Sequence, residues 1–386
     1  DGAWHGFGGL TGLMDYRGAG PENPRHQAWV KSVSTAFWDA QLMGDAAAGS
    51  FLRSGAIAQA SGGAVRFETG SVGAAKTEGV EAATPGEIAR EDLMWHDAAR
   101  KRDVPVRIYV PKRKAGEGLL PAVIFSHGGG ESREAFTYLG TNLAERGYLV
   151  VFLTHEGSDR RVVDAQGMRA LAGTEDFHLR PEDVSFALDR ALSKDPGSDL
   201  LRGRVDADRV AVAGQCAGAT TALAMVGLRA DVPGKKGTTF IDPRFKCAIA
   251  LSPQPGSTRD GALHRGSWAH IAAPTLMVTA TRDFTWFPQV KTDPGFVRLP
   301  FDDMPPGDKY LVEIRDAEHN AFTDSVPYYP ARERDPRHHR WIQEATVAFL
   351  DAYLKGDAAA RDWFREERLE AETGGECIQE SKLISG

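Results

Sequence analysis

The chain has 386 residues, 46 Lys+Arg against 53 Asp+Glu, a formal net charge of −7, and 42% hydrophobic residues. That is apolar material enough for a large core and excludes wholesale disorder. The acidic balance, with no basic run longer than the KRK of 112–114, leaves no electrostatic footprint for nucleic acid or an anionic membrane.

No stretch approaches the roughly 18 consecutive apolar residues of a membrane span. Cys216, Cys247 and Cys377 are too few and too scattered for a disulfide framework or a cysteine zinc site. His338 and His339, flanked by arginines, read as a solvated cap, and no His-Glu-x-x-His spacing occurs, so no metal or other cofactor is expected. Residue 1 is Asp with no signal peptide before it, which leaves the compartment open.

From the N-terminus, the first signal is a repeat. Residues 24–52 align without gaps to 336–364, with 14 of 29 positions identical, and DGAWHGFGG at 1–9 resembles DAEHNAFTD at 316–324. Both copies space apolar residues as an amphipathic helix does, in the later one at Trp341, Ala345, Ala348, Phe349 and Ala352. Residues 1–52 are therefore expected to be the tail of a preceding homologous domain, a surface helical hairpin being the plainer alternative. Residues 53–89, rich in Gly, Ala, Ser and Thr, read as a linker, and 90–386 as one complete domain.

In that domain β-branched runs alternate with helical segments, the pattern of an α/β protein whose mostly parallel sheet carries helices on both faces. Eight strands are expected, at 90–96, 104–111, 121–127, 147–153, 209–214, 246–252, 274–280 and 309–315, with helices at 132–146, 181–193, 216–229 and 338–355. Chemistry is expected at the C-terminal ends of the strands, where the loops of such a sheet gather.

Three segments stand at those ends. Gly214-Gln215-Cys216-Ala217-Gly218 lies between an apolar strand and a helix, the context of a sharp turn that exposes a nucleophile, here a thiol. A buried structural cysteine in a chance G-x-C-x-G is the plain reading. Ser126-His127-Gly128-Gly129-Gly130 follows another strand, and its tandem glycines can turn N–H groups toward a developing oxyanion; Gly129 and Ala217 are the expected donors, with Gly128 and Gln215 beside the substrate. Glycine-rich turns after strands also serve packing or phosphate binding, but the P-loop Lys-Ser/Thr is missing here. Asp283 ends the strand at 274–280 and His319 follows the last one. The order nucleophile, acid, histidine is that of an α/β-hydrolase and of neither chymotrypsin nor subtilisin. His319 would withdraw the thiol proton and Asp283 hold the imidazole tautomer. Trp286 and Phe287, in the Pro-rich segment 284–307, are expected to line an acyl or aryl site. Cys247 reads as a core thiol, Cys377 as incidental in a polar tail, and His155 and Glu156 as pocket or structural loop residues.

Residues 90–386 resemble the α/β-hydrolase superfamily, and within it the predicted dienelactone hydrolases related to platelet-activating-factor acetylhydrolases. The resemblance is carried by WHDAARKRDVPVRIYVP at 95–111, FSHGGGESREAFTYLG at 125–140, THEGSD at 154–159, LRPEDVSFALD at 179–189, VDADRVAVAGQCAGATTALA at 205–224 and DKYLVEIRDAEHNAF at 308–322. It implies an esterase fold with Cys216, Asp283 and His319 as the triad, acting without a cofactor on a small-molecule ester or lactone. Two departures stand out. Most relatives in this subgroup carry Ser in a GHSxGG-like elbow, whereas dienelactone hydrolases use Cys; and the residue before the nucleophile is Gln215 where His is usual. A serine-type esterase or polyester hydrolase with Cys in place of Ser, a thioesterase, and a silent ligand-binding homologue stay open, as does the oligomeric state.

Overall fold

A computed structural model describes residues 28–29, 31–33, 35–36, 51, 87–112, 118–167, 176–232, 234–256, 261–284, 291, 293–325, 327 and 331–384. The chain divides into two compact units, 1–81 and 82–386. In the first, the described residues are helical; the segments expected at 1–52 and 53–89 otherwise lie outside the described residues, apart from 87–89.

The second unit holds a nine-stranded sheet. In chain order its strands are β1 (Ile88–Asp97), β2 (Arg102–Pro111), β3 (Leu120–Ser126), β4 (Leu149–Leu153), β5 (Val205–Gln215), β8 (Phe245–Leu251), β9 (Thr275–Arg282), β10 (Lys309–Glu318) and β11 (Cys377–Lys382); β6 (Ala230–Val232) and β7 (Lys235–Thr238) form a separate ribbon. The order across the sheet is β1-β2-β4-β3-β5-β8-β9-β10-β11. The six strands from β4 to β10 run parallel, and β1, β2 and β11 add antiparallel pairings at the edges.

Sequence explains this division. LPAVIFS and LVVFL are buried along their whole length, as a strand covered on both faces must be, whereas β1 alternates in burial. Successive side chains feed opposite layers. Ile124, Val151, Val212 and Ala248 meet Val184 and Leu188 of helix α3 (Asp176–Leu192) and Ala222 and Leu223 of α4 (Ala217–Ala224). Val123, Phe125, Ala211 and Ile249 meet Leu139 and Leu143 of α1 (Thr137–Glu145) and Trp341, Ile342 and Phe349 of α6 (Pro336–Leu354). Between these lie the short helices α2 (Arg160–Gln166) and α5 (Leu299–Asp303), with α7 (Ala358–Arg365) and α8 (Arg368–Glu372) after α6. The start of α6 is set by Asp335, which accepts from the Arg337 N–H, and by Pro336 in the first turn.

All eight expected strands form, and the ninth, β11, corrects the reading of the C-terminal residues as a polar tail. Cys377 is buried opposite Ile314 at the start of β11, and Gln379 is buried beyond it. A strand that turns polar side chains inward does not alternate in hydrophobicity, so periodicity alone missed it.

Candidate active site

The turn between β5 and α4 places Cys216 at φ 53°, ψ −117°, outside the conformations that non-glycine residues ordinarily adopt. Its N–H donates to the Leu251 carbonyl at 2.9 Å, tying the strained residue to β8. Close approach dictates the flanking glycines: a Cβ on Gly214 would stand 2.1 Å from the Gly218 carbonyl oxygen, and one on Gly218 would stand 2.0 Å from that of Ser126. Cys216 is half-buried with a free thiol, packed against the cluster of Phe284 and Val297 on which Phe296 also packs.

His319 follows β10 and Asp283 follows β9, parallel neighbours whose ends bring them together. His319 Nδ1 lies 2.8 Å from Asp283 Oδ1, and Thr279 Oγ1 donates to Asp283 Oδ2 at 3.1 Å. Burial opposes charging of His319, but the Cys216 sulfur and the Asp283 carboxylate, each also hydrogen-bonded to the ring, hold its pKa above the ordinary range. Gln215 Nε2 is 3.3 Å from His319 Nε2. Gln215 Oε1 is buried without a hydrogen-bond partner among the described residues.

The glycine loop runs past the same point. A Cβ on Gly128 would come within 2.3 Å of Gln215 Oε1 and 3.3 Å of Cys216 Cβ, so any side chain there would have to displace the Gln215 amide from beside the thiol. The Gly128 N–H donates to Glu131 Oε2 at 3.2 Å and the Gly130 N–H to the Ser158 carbonyl at 2.9 Å. Between them the Gly129 N–H has no acceptor among the described residues. The N–H of Ala217, first residue of α4, has no helical carbonyl four residues behind it. Cys216, Asp283, His319, Gly128, Gly129, Gln215 and Ala217 thus lie along one set of strand ends. Trp286 and Phe287 lie outside the described residues. No cluster able to hold a metal ion occurs among the described residues.

The model of the alpha/beta hydrolase family matches residues 123–377, well over half of the chain. The chain belongs to the alpha/beta hydrolase family. Relatives of this hydrolase domain include a platelet-activating factor acetylhydrolase of Bos taurus, 25% identical over 53% of this chain and 48% of that protein. Another is the cutinase est2 of Thermobifida alba, 26% identical over 55% of this chain and 56% of that one. The chain spans about half the length of the curated relatives it matches. Among solved structures, a ferulic acid esterase from Streptomyces cinnamoneus superposes with a TM-score of 0.52 at 21% identity, over 71% of this chain and 92% of that chain, a likeness of fold.

Several residues of this hydrolase site carry no signal that sequence reading could use. Ser252, at φ 51° after β8, sets Oγ 2.7 Å from His319 Nδ1 beside Asp283. Phe284 packs its ring 4.6 Å from that of His319. Glu131 is buried next to the glycine loop; burial raises its pKa, partly offset by a hydrogen bond with Thr323 and by His319. The HGGGE run is visible in the sequence, but nothing local says that its carboxylate turns back onto its own loop. No helix among the described residues is long and apolar enough to cross a membrane.

Proposed function

We propose that the chain is a carboxylic ester hydrolase of the dienelactone-hydrolase type, working through an acyl-Cys216 intermediate. The observation that carries this reading is the Asp283–His319 hydrogen bond of 2.8 Å beside a thiol on a strained strand-to-helix turn. Similarity to proteins named platelet-activating factor acetylhydrolase and cutinase supports an ester carbonyl as the target.

In this mechanism His319 Nε2 takes the Cys216 thiol proton and the sulfur attacks the carbonyl carbon; the C–S bond forms as the C=O π pair moves to oxygen. The Gly129 and Ala217 N–H groups receive that oxyanion, a service whose loss costs about 10²–10³ in kcat per donor in related sites. His319 gives its Nε2 proton to the departing alkoxide, and Asp283 keeps the imidazole in the Nδ1–H tautomer. Water, deprotonated by His319, then attacks the thioester, releasing the acid and restoring the thiol.

Hydrolysis of p-nitrophenyl acetate and butyrate by the protein, by Cys216→Ala and by Cys216→Ser, with and without iodoacetamide, tests the assignment. Loss of activity in Cys216→Ala and after alkylation, with an acyl adduct on Cys216, is the expected result. An inert wild type beside an active Cys216→Ser would make this a serine-type esterase carrying Cys at the nucleophile.

A further inference from the structure

Behind the glycine loop lies a second buried chain of the same three residue types. Asp183 Oδ2 is 2.9 Å from His155 Nδ1, and His155 Nε2 is 2.8 Å from Ser126 Oγ. All three side chains are fully buried, so none of them meets a substrate. The far end is anchored by Arg100 and Arg102, which donate to the Asp183 carboxylate at 2.8–3.2 Å.

The near end reaches the loop through His127. The backbone N–H of His155 donates to His127 Nε2 at 2.9 Å. A backbone N–H only donates, so Nε2 must be the bare nitrogen and Nδ1 must carry the proton. That proton goes to the Gly128 carbonyl, 2.5 Å away. In a trans peptide the carbonyl and the next N–H point in opposite directions. Holding the Gly128 carbonyl toward His127 therefore aims the Gly129 N–H the other way. Burial and the nearby Arg180 keep His155 and His127 neutral, which preserves the acceptor role of His127 Nε2.

We propose that Asp183, His155, Ser126 and His127 form a positioning relay that fixes the tautomer of His127 and thereby the direction of the Gly129 N–H. The inference rests on the hydrolase reading above, in which Gly129 is an oxyanion donor. The relay does not touch substrate; it acts through one peptide plane.

Two variants of His127 separate this role from mere packing. The amide nitrogen of Asn overlies Nδ1, so His127→Asn keeps a donor for the Gly128 carbonyl; the longer Gln reaches the Nε2 position, so His127→Gln loses it. On p-nitrophenyl acetate, kcat of His127→Gln falls about 10²-fold, as for a misplaced catalytic group, with KM unchanged. His127→Asn stays close to wild type, and Ser126→Ala, which deletes one hydroxyl, shows a smaller loss in the same direction. Iodoacetamide alkylates Cys216 at the same rate in every variant, since that displacement builds no oxyanion. Affinity for acetaldehyde, whose carbonyl carbon bonds to the sulfur while its oxygen takes the π pair, falls in step with kcat.

Equal losses in the Asn and Gln variants, no loss in either, or alkylation slowed in step with kcat would overturn the relay. A wild type that turns over no ester defeats the hydrolase reading alone, and the aldehyde affinities still decide the relay.

Discussion

Asp283–His319 and Asp183–His155 are two buried pairs of nearly equal length, 2.8 and 2.9 Å, and the pKa values of their imidazoles are shifted in opposite directions. Both histidines are penalised by burial. At His319 the Cys216 sulfur and Asp283 overcome that penalty, and Asp283 takes its other hydrogen bond from the neutral hydroxyl of Thr279. At His155 the carboxylate is shared with Arg100 and Arg102, Arg180 adds its own positive charge, and burial wins. The bond between acid and imidazole is thus a poor guide to the charge state of the ring; the charges around the pair set the direction of its shift, and on the proposed reading one pair handles protons while the other braces a loop.

The largest test of that contrast is to neutralise each acid in turn. Asp283→Asn replaces the carboxylate that fixes the His319 tautomer with a neutral amide and is expected to lower kcat about 10⁴-fold, with the smaller stability loss of the two. Asp183→Asn leaves two arginines facing a neutral side chain, and its main expected effect is a loss of about 3 kcal/mol in urea unfolding. Comparable stability losses in both variants would erase the distinction. Gly218→Ala strikes the contact shared by both regions, because its Cβ would meet the Ser126 carbonyl at 2.0 Å. A stability loss of about 3 kcal/mol accompanied by loss of activity is expected.

Stability against pH sharpens the comparison further. The His155 pKa is pushed down to about 4, so below the unfolded value of about 6.5 the unfolded chain binds a proton that the native state refuses. Stability conferred by neutral His155 is present above pH ~6.5 and is lost as pH falls toward 4. The His319 pKa is raised to about 10, so its contribution is full below pH ~6.5 and is lost as pH rises through about 10. Urea midpoints across this range should show both limbs; His155→Gln flattens the acid limb and Cys216→Ala the alkaline one. The smallest effect is expected of Ser252→Ala, which removes only the second partner of His319 Nδ1 and leaves Asp283 in place. A kcat within about tenfold of wild type is expected there.

The side of this contrast proposed to be catalytic is legible as a candidate because its pieces are local. A strand, Gly214 to Gly218 and a helix are contiguous, and Asp283 and His319 each follow an apolar run. The bracing side is not. His155 and Asp183 lie on different elements, and only the stacking of β4 against α3 brings them together, so no spacing announces the pair. Ser252 was missed for the same reason, its role depending on the neighbouring ends of β8, β9 and β10. Helix boundaries drifted where turns begin with ordinary residues: α1 was expected from 132 but starts at Thr137, after the turn at 133–136.

The conformation of Cys216 has a consequence for how such a site can change over time. Its positive φ is imposed by the Leu251 carbonyl, by the crossing of β5 into α4, and by glycines that admit no Cβ. None of these restraints touches the sulfur. The backbone of the socket is therefore indifferent to the atom it presents, and replacing sulfur by oxygen alters the charge pairing with His319 rather than the turn. The restraint on exchanging the two nucleophiles is thus chemical rather than architectural.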